Sequence, residues 1–190
     1  MNYLMESPEL PAHQEKRRVL ECFANGAATL SFTLRRFPRK MWLYKASSDR
    51  TSIHESVWHL ADSEVVEYVH YRRFIAEPAS PALGIDPSTW CRNLGYFYQD
   101  VKEALGIIRV LRQAVYRSLR TLPEMAWTHV TEVPIHGRLS LDEWLVIRER
   151  YMSEQIRQME AIYSEWLEIT SLLRTPTSTR KTPPTESRVS

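Results

Sequence analysis

Residues 140–166 read SLDEWLVIRERYMSEQIRQMEAIYSEW, with apolar side chains returning every three or four positions, as they do on one face of an α-helix. Three polar residues, Arg148, Tyr151 and Gln155, lie on that same face. An unpaired buried amide or hydroxyl costs about 1–3 kcal/mol, and a lone guanidinium costs more. We therefore expect these side chains either to satisfy one another or to line a wet cavity. The apolar members of the face are Leu141, Trp144, Leu145, Met152, Met159, Ile162, Tyr163 and Trp166.

Three segments upstream of this helix also have helical spacing. The first spans residues 12–37. The second begins with a capping box, Ser52 with Glu55, in which each residue satisfies a backbone amide of the other, and it ends near Pro78. The third keeps its apolar spacing over residues 97–119. The chain is therefore predicted to contain four long helices.

The links between these helices predict how they are arranged. Proline and glycine recur over residues 78–87, which indicates a linker after the second helix. The helical pattern breaks over residues 122–137, which predicts an irregular excursion or a short hairpin, and Ser140 with Glu143 forms a second capping box that opens the fourth helix. This order favours an all-α fold, an antiparallel four-helix bundle with crossover connections.

Length and composition predict one domain with two short extensions. The chain has 190 residues, of which 43% are hydrophobic and six are tryptophan, enough to bury a full core. We assign residues 1–11 to an N-terminal lead, residues 12–173 to the bundle, and residues 174–190 to a tail rich in Thr, Pro, Ser and Arg. The tail is expected to be disordered because it has almost no apolar side chains to bury.

Charge and hydropathy argue against two classes of partner. The 25 basic and 23 acidic residues give a net charge of +2, so no nucleic-acid partner is implied. No apolar stretch approaches the roughly 18–20 residues of a membrane span, and no signal peptide is recognised, so no membrane partner is expected. Two cysteines form neither a disulfide framework nor a metal motif, which is typical of a reducing cytoplasm.

Two short runs carry a resemblance to a known family. The runs are WHLADSE at residues 58–64 and GRLSL at residues 137–141, the second opening a last helix that contains QIRQM at residues 155–159. Together they resemble the DinB-like superfamily of bacterial four-helix bundles, which includes YfiT-type metal-dependent hydrolases and thiol transferases that use mycothiol or bacillithiol. The resemblance covers residues 12–173 and implies a DinB/YfiT-like bundle.

The resemblance also implies a metal site, from which this sequence departs. Metal-binding members place one histidine in the first motif and two, four residues apart, on the last helix. In this chain His59 matches the first, while Tyr151 and Gln155 occupy the positions of the other two. Phenol ionises only near pH 10 in water and a carboxamide is a weak donor, so zinc, nickel or iron is expected to bind poorly. Arg148, one turn before Tyr151, would also repel a cation.

The preferred hypothesis is a degenerate metal site that has become a hydrogen-bonded polar cluster. No cofactor is expected; if one binds, it is a divalent transition metal (Zn, Ni or Fe) with His59 as the retained ligand. Arg148 is expected to pair with Glu55 or Asp62, which are close to His59 on the second helix. The remaining pocket would bind a small polar or anionic molecule. The pocket candidates are Glu55, His59, Asp62, Arg148, Tyr151 and Gln155.

Two other functions remain open at this stage. In one, His59 with Glu55, Asp62 or Glu154 keeps a metal or acts as a general base for thiol transfer or hydrolysis, with Tyr151 as proton donor. In the other, the protein is non-catalytic and pairs through its helix faces as a homodimer. Metal-dependent catalysis is the less favoured interpretation.

Each of these residues also has a purely structural interpretation. The other central histidines (His54, His70, His129 and His136) are interpreted as structural or solvated, with His136 the one that could border the pocket. Tyr151 and Gln155 are most simply buried hydrogen-bonding side chains. Arg148 could extend its charged end to the rim of the bundle and leave only its stem inside.

Overall fold

A computed structural model describes residues 12–77, 84, 86–133 and 136–173. Four long helices form a bundle, and two shorter helices and a two-stranded hairpin occupy the links. The predicted four-helix bundle is confirmed. The elements are α1 (Ala12–Arg35), α2 (Ile53–Ala76), α3 (Pro87–Leu94), α4 (Val101–Leu119), α5 (Glu124–Trp127), β1 (Val130–Val133), β2 (Gly137–Ser140) and α6 (Leu141–Leu172).

Both predicted capping boxes are present, one at the start of α2 and one at the start of α6. Ser52 accepts the backbone amide of Glu55, whose carboxylate accepts the Ser52 amide at 2.9 Å. Ser140 and Glu143 make the same exchange at the start of α6. These local bonds satisfy amides that the first helical turn leaves without partners. They set where α2 and α6 begin.

The third long helix begins later than predicted. Residues 96–98 form a separate 3₁₀ turn, and α4 starts at Val101, where Asp100 accepts the amide of Lys102. Phe97 is accordingly exposed rather than part of the apolar face. The linker also holds an unpredicted helix, α3, which starts with Asp86 as its cap and Pro87 in its first turn and ends at Gly95 with φ 61°.

The helices lie in the order α1, α4, α2, α6 around the bundle, so α1 and α2 are diagonal. Contacts such as Gln113 with the Ala24 carbonyl and His59 with Tyr151 show that α1–α4 and α2–α6 run antiparallel. The neighbours α1–α6 and α2–α4 run parallel, as contacts such as Arg36 with Glu160 indicate. Parallel neighbours require a connection that returns along the bundle, and this is the predicted crossover.

The link before α6 contains the short hairpin that the broken helical pattern allowed. Val130 pairs with Ser140 and Val133 with Gly137, antiparallel. The tail at residues 174–190, the lead at residues 1–11 and part of the linker lie outside the described residues. Within the described chain, every helix is too short or too polar to cross a membrane.

A layer of charged side chains divides the core into two apolar clusters. One cluster includes Leu30, Val57 and Ile108, and the other includes Phe23, Tyr71 and Leu145. At the level of this layer, each of the four long helices passes from one cluster to the other. The charged residues of this layer are Glu64, Glu67, Arg112 and Arg148, all less than a tenth exposed.

The Ser52 cap provides a test of the local start signal. Ser52→Ala is expected to lower the free energy of unfolding by about 1 kcal/mol, because the side chain is buried and the Glu55 amide loses its acceptor. Urea unfolding followed by circular dichroism measures the change. Ser164→Ala, on the exposed face of α6, is the control and should change stability little. Equal effects of the two substitutions would contradict the capping role.

Candidate functional site

Four buried charges join three helices at the centre of the bundle. Glu64 Oε1 lies 3.2 Å from Nε of Arg112 and 3.9 Å from Nη2 of Arg148. Glu67 Oε2 lies 3.5 Å from Nε of Arg148 and accepts a 2.8 Å hydrogen bond from the Trp144 indole. Two positive and two negative charges therefore neutralise one another away from water, as buried charges must.

Arg148 points inward, but its partners differ from those expected. Its Nη2 donates to Ser63 Oγ at 2.8 Å, and its ion pairs are with Glu64 and Glu67 rather than with Glu55 or Asp62. Its charged end is not at the rim, because the side chain is only 8% exposed. Burial alone would lower the pKa of Arg148, but the two glutamates outweigh it and raise the pKa. The arginine is therefore charged.

The two carboxylates that were expected to pair with Arg148 are engaged elsewhere. Glu55 forms an ion pair with Lys45 at 2.7 Å and completes the α2 capping box. Asp62 accepts the hydroxyl of Tyr96, from the 3₁₀ turn before α4. A helix turns by 100° per residue, so Glu55 and Asp62 lie on the opposite side of α2 from Glu64 and Glu67. They face the links that carry Lys45 and Tyr96.

His59 and Tyr151 meet as the family alignment suggested. The Tyr151 hydroxyl lies 2.9 Å from His59 Nε2, and the two rings are nearly perpendicular. Burial lowers the pKa of His59, which Asp62 opposes and Arg148 reinforces. Burial also raises the pKa of Tyr151. The Arg148 guanidinium, 4.8 Å from the centre of the tyrosine ring, acts in the opposite direction but does not outweigh burial. A neutral imidazole therefore faces a protonated phenol.

A cleft of about 660 Å³ opens between α2 and α6 beside this pair; we call it the α2–α6 cleft. Apolar surface predominates over polar surface in its lining, and a few polar groups converge in it, a pattern typical of small-molecule sites. Within the described chain Arg148 makes one hydrogen bond, from Nη2 to Ser63, and its Nε makes none. The lining residues include His59, Ser63, Val66, Glu67, His136, Trp144, Ile147, Arg148, Arg150, Tyr151, Glu154 and Arg157.

A second cleft, of about 580 Å³, adjoins the first; we call it the α3 cleft. His59 and Tyr151 line both clefts, so their hydrogen bond lies where the two meet. Gln155 and Glu55 line only the α3 cleft, and the Gln155 amide donates to Gln158 at 3.3 Å. Of the six sequence candidates, Asp62 alone lines neither cleft.

Three charged residues of the site were missed although the sequence carried a signal for them. Glu64 and Glu67 continue the apolar face of α2 between Leu60 and Tyr71, at intervals of three and four residues. Arg112 does the same on α4. A charged side chain within an apolar helical face was the signal recognised at Arg148, and it recurs at these three positions.

Of the four histidines interpreted as structural or solvated, three make contacts within the fold, and His136 borders the α2–α6 cleft. His54 Nε2 bonds to the Tyr96 carbonyl at 2.8 Å, and His129 Nδ1 lies 3.2 Å from the Phe74 carbonyl. His70 is buried beside Glu67. His136 lines the α2–α6 cleft and packs edge-on against Trp144.

The donors around His59 do not fit a transition metal. Its Nε2 atom is hydrogen-bonded to a phenol that burial keeps protonated, and the Gln155 carboxamide is a weak ligand. The positive charge of Arg148 is adjacent. Across the described part of the chain, no three His, Cys, Asp or Glu side chains form a group that could hold a metal ion.

Comparison with known structures identifies the fold. The chain is similar to YfiT from Bacillus subtilis, described as "a probable metal-dependent hydrolase with an unusual four-helix bundle topology", with a TM-score of 0.73 over 87% of this chain and 93% of YfiT. The chain has the YfiT fold. Sequence identity is 16%, so the match shows a shared fold and no more. No protein-family model and no curated protein matches the sequence.

The lowered pKa of His59 predicts a specific response to acid. The pKa of His59 is lower in the folded protein than in the unfolded chain. At pH values between these two pKa values the unfolded chain binds more protons, so the free energy of unfolding decreases as the pH falls through this range. NMR titration of the His59 ring should give a pKa below about 6.5. Asp62→Asn should lower it further, since the Asp62 carboxylate favours the charged ring.

Glu168→Gln, on the exposed end of α6, is the matched control for removing one carboxylate and should leave the His59 titration unchanged. A His59 pKa above that of a free histidine would show that the ring is not held in the neutral form. The explanation of its pairing with Tyr151 would then be wrong.

Proposed function

We propose that the protein binds a small organic anion, a carboxylate with an apolar body, in the α2–α6 cleft. The observation that carries the proposal is Arg148, a buried, charged guanidinium that lines a mainly apolar cleft and whose one hydrogen bond within the described chain runs from Nη2 to Ser63. Trp144 and Ile147 offer the apolar surface, and Arg148 offers the charge-assisted hydrogen bond that would orient the carboxylate.

The proposal includes the loss of the metal site that the YfiT fold implies. YfiT is described as a probable metal-dependent hydrolase, and carrying that activity over would require a group of metal ligands, which the described residues do not form. His59 and Tyr151 satisfy each other, and a fixed positive charge attracts an anion where a cation would have bound.

Calorimetric titration tests the anion site with benzoate as the probe. Benzamide has nearly the same shape without the charge, so it should bind at least tenfold more weakly if Arg148 recognises the carboxylate. Arg148→Lys should weaken benzoate binding about 10- to 100-fold, because a charge-assisted hydrogen bond contributes about 1.5–3 kcal/mol and each 1.4 kcal/mol is tenfold.

Arg157→Lys is the matched control for that substitution. Arg157 lines the same cleft but is exposed and forms an ion pair with Glu154, so its replacement should change benzoate affinity less than about threefold. Equal binding of benzoate and benzamide would argue against the anion site. Equal effects of the two lysine variants would argue against the role of Arg148.

Metal analysis tests the degenerate site separately. Protein purified without a metal-affinity column should contain far less than one transition-metal ion per chain by inductively coupled plasma mass spectrometry. The double variant Tyr151→His/Gln155→His supplies the two missing imidazoles and should take up more zinc than the wild type, because imidazole is the better ligand. Stoichiometric zinc, nickel or iron in the wild type would contradict the loss of the site.

A second candidate function is metal-independent acid–base catalysis. It is favoured by the 2.9 Å contact between His59 and Tyr151, in which a neutral imidazole can act as a base and the phenol as a proton donor. Under this hypothesis, Tyr151→Phe abolishes turnover of a carboxylate ester while benzoate still binds. Turnover that survives both Tyr151→Phe and His59→Gln would exclude it. Homodimer formation stays a prediction that light scattering can test.

A further inference from the structure

Gly26 lies in the apolar face of α1, where glycine has no conformational reason to be. It is in the middle of a helix, where glycine is less favourable than alanine, and its backbone φ is not positive. The reason is the space above it. A Cβ atom there would lie 1.8 Å from Nη1 and 3.1 Å from Cζ of Arg112, and 3.3 Å from Cγ of Met152. Arg112 thus occupies the volume that a side chain at position 26 would take.

Arg112 has no free direction in which to withdraw. Its side chain is fully buried, and its guanidinium carbon lies 4.1 Å from the centre of the Phe23 ring. Its Nε is 3.2 Å from the Glu64 carboxylate. A guanidinium enclosed on these sides can move from Gly26 only by loosening its contact with Glu64 or with Phe23, because interiors are close-packed.

Glu64 connects this contact with the α2–α6 cleft. The same oxygen that faces Arg112 lies 3.9 Å from Nη2 of Arg148, whose other partners are Ser63 and Glu67. A buried carboxylate that loses one cation attracts the other more strongly. Displacing Arg112 would therefore draw Arg148 toward Glu64 and away from the cleft.

We infer that Gly26 is a positioning residue for Arg148. By leaving room for Arg112, it keeps Glu64 paired with α4, and Arg148 stays with Ser63 and Glu67 at the cleft. The position on α1 thereby controls a binding group on α6 through side chains of α4 and α2. The effect on ligand affinity rests on the proposed anion site, whereas the effect on the position of Arg148 does not.

The test compares two identical substitutions in helices. Gly26→Ala should shift the Nε–H NMR signal of Arg148 and speed its exchange with solvent, and it should weaken benzoate binding about tenfold. Gly106→Ala, on α4, is the matched control, since an added Cβ there meets nothing within 4 Å. It should leave both the signal and the affinity unchanged.

Two further variants keep the test decisive if Gly26→Ala does not fold. Arg112→Gln removes the cation without adding a methyl group and should shift the Arg148 signal in the same way. Gly26→Ala/Arg112→Lys replaces the guanidinium by a slimmer ammonium group that can still reach Glu64, and it should restore the signal and the affinity.

The outcomes separate this inference from the proposed function. An Arg148 signal that stays unmoved in Arg112→Gln, or in a folded Gly26→Ala protein, overturns the positioning role. Failure of the wild type to bind benzoate, with the signal still moving in Gly26→Ala, overturns the anion site and leaves the positioning role supported.

Discussion

The ion pairs between the glutamates of α2 and the arginines of α4 and α6 constrain the whole bundle. Removing each charge from water costs several kcal/mol, which only a close partner of opposite sign offsets. A one-turn slip of any of these helices would leave Glu64, Glu67, Arg112 or Arg148 buried without that partner. We interpret the layer as a device that selects one register, while the apolar clusters on either side supply most of the stability.

Much of the candidate site could be predicted from the spacing of side chains along single helices. The inward position of Arg148 follows from its place in the apolar face of α6, and the meeting of His59 with Tyr151 follows from the family alignment. The partners of Arg148 could not be predicted in this way. Which of four nearby carboxylates it reaches depends on the rotation and height of α2 against α6, and neither is encoded in one helix.

The same limit applies to the fold. Capping boxes and apolar periodicity are local, so they predicted the beginnings of α2 and α6 well. The linker helix α3 was missed because Pro87 is typical of loops, although proline is also favoured in the first turn of a helix. The order of helices around the bundle depends on contacts between distant segments, for which a single sequence carries no direct signal.

The diagonal placement of α1 and α2 has a consequence for synthesis on the ribosome. The helices packed most extensively against α1, which carries Leu30 and Leu34, are α4 and α6, rather than α2, the long helix that follows it in the chain. At about 5–20 residues per second, the ribosome needs several seconds to make α6 after α1. Until α4 and α6 have been made, this face of α1 lacks the helices that cover it, and it is the kind of exposed apolar surface that a holdase chaperone binds.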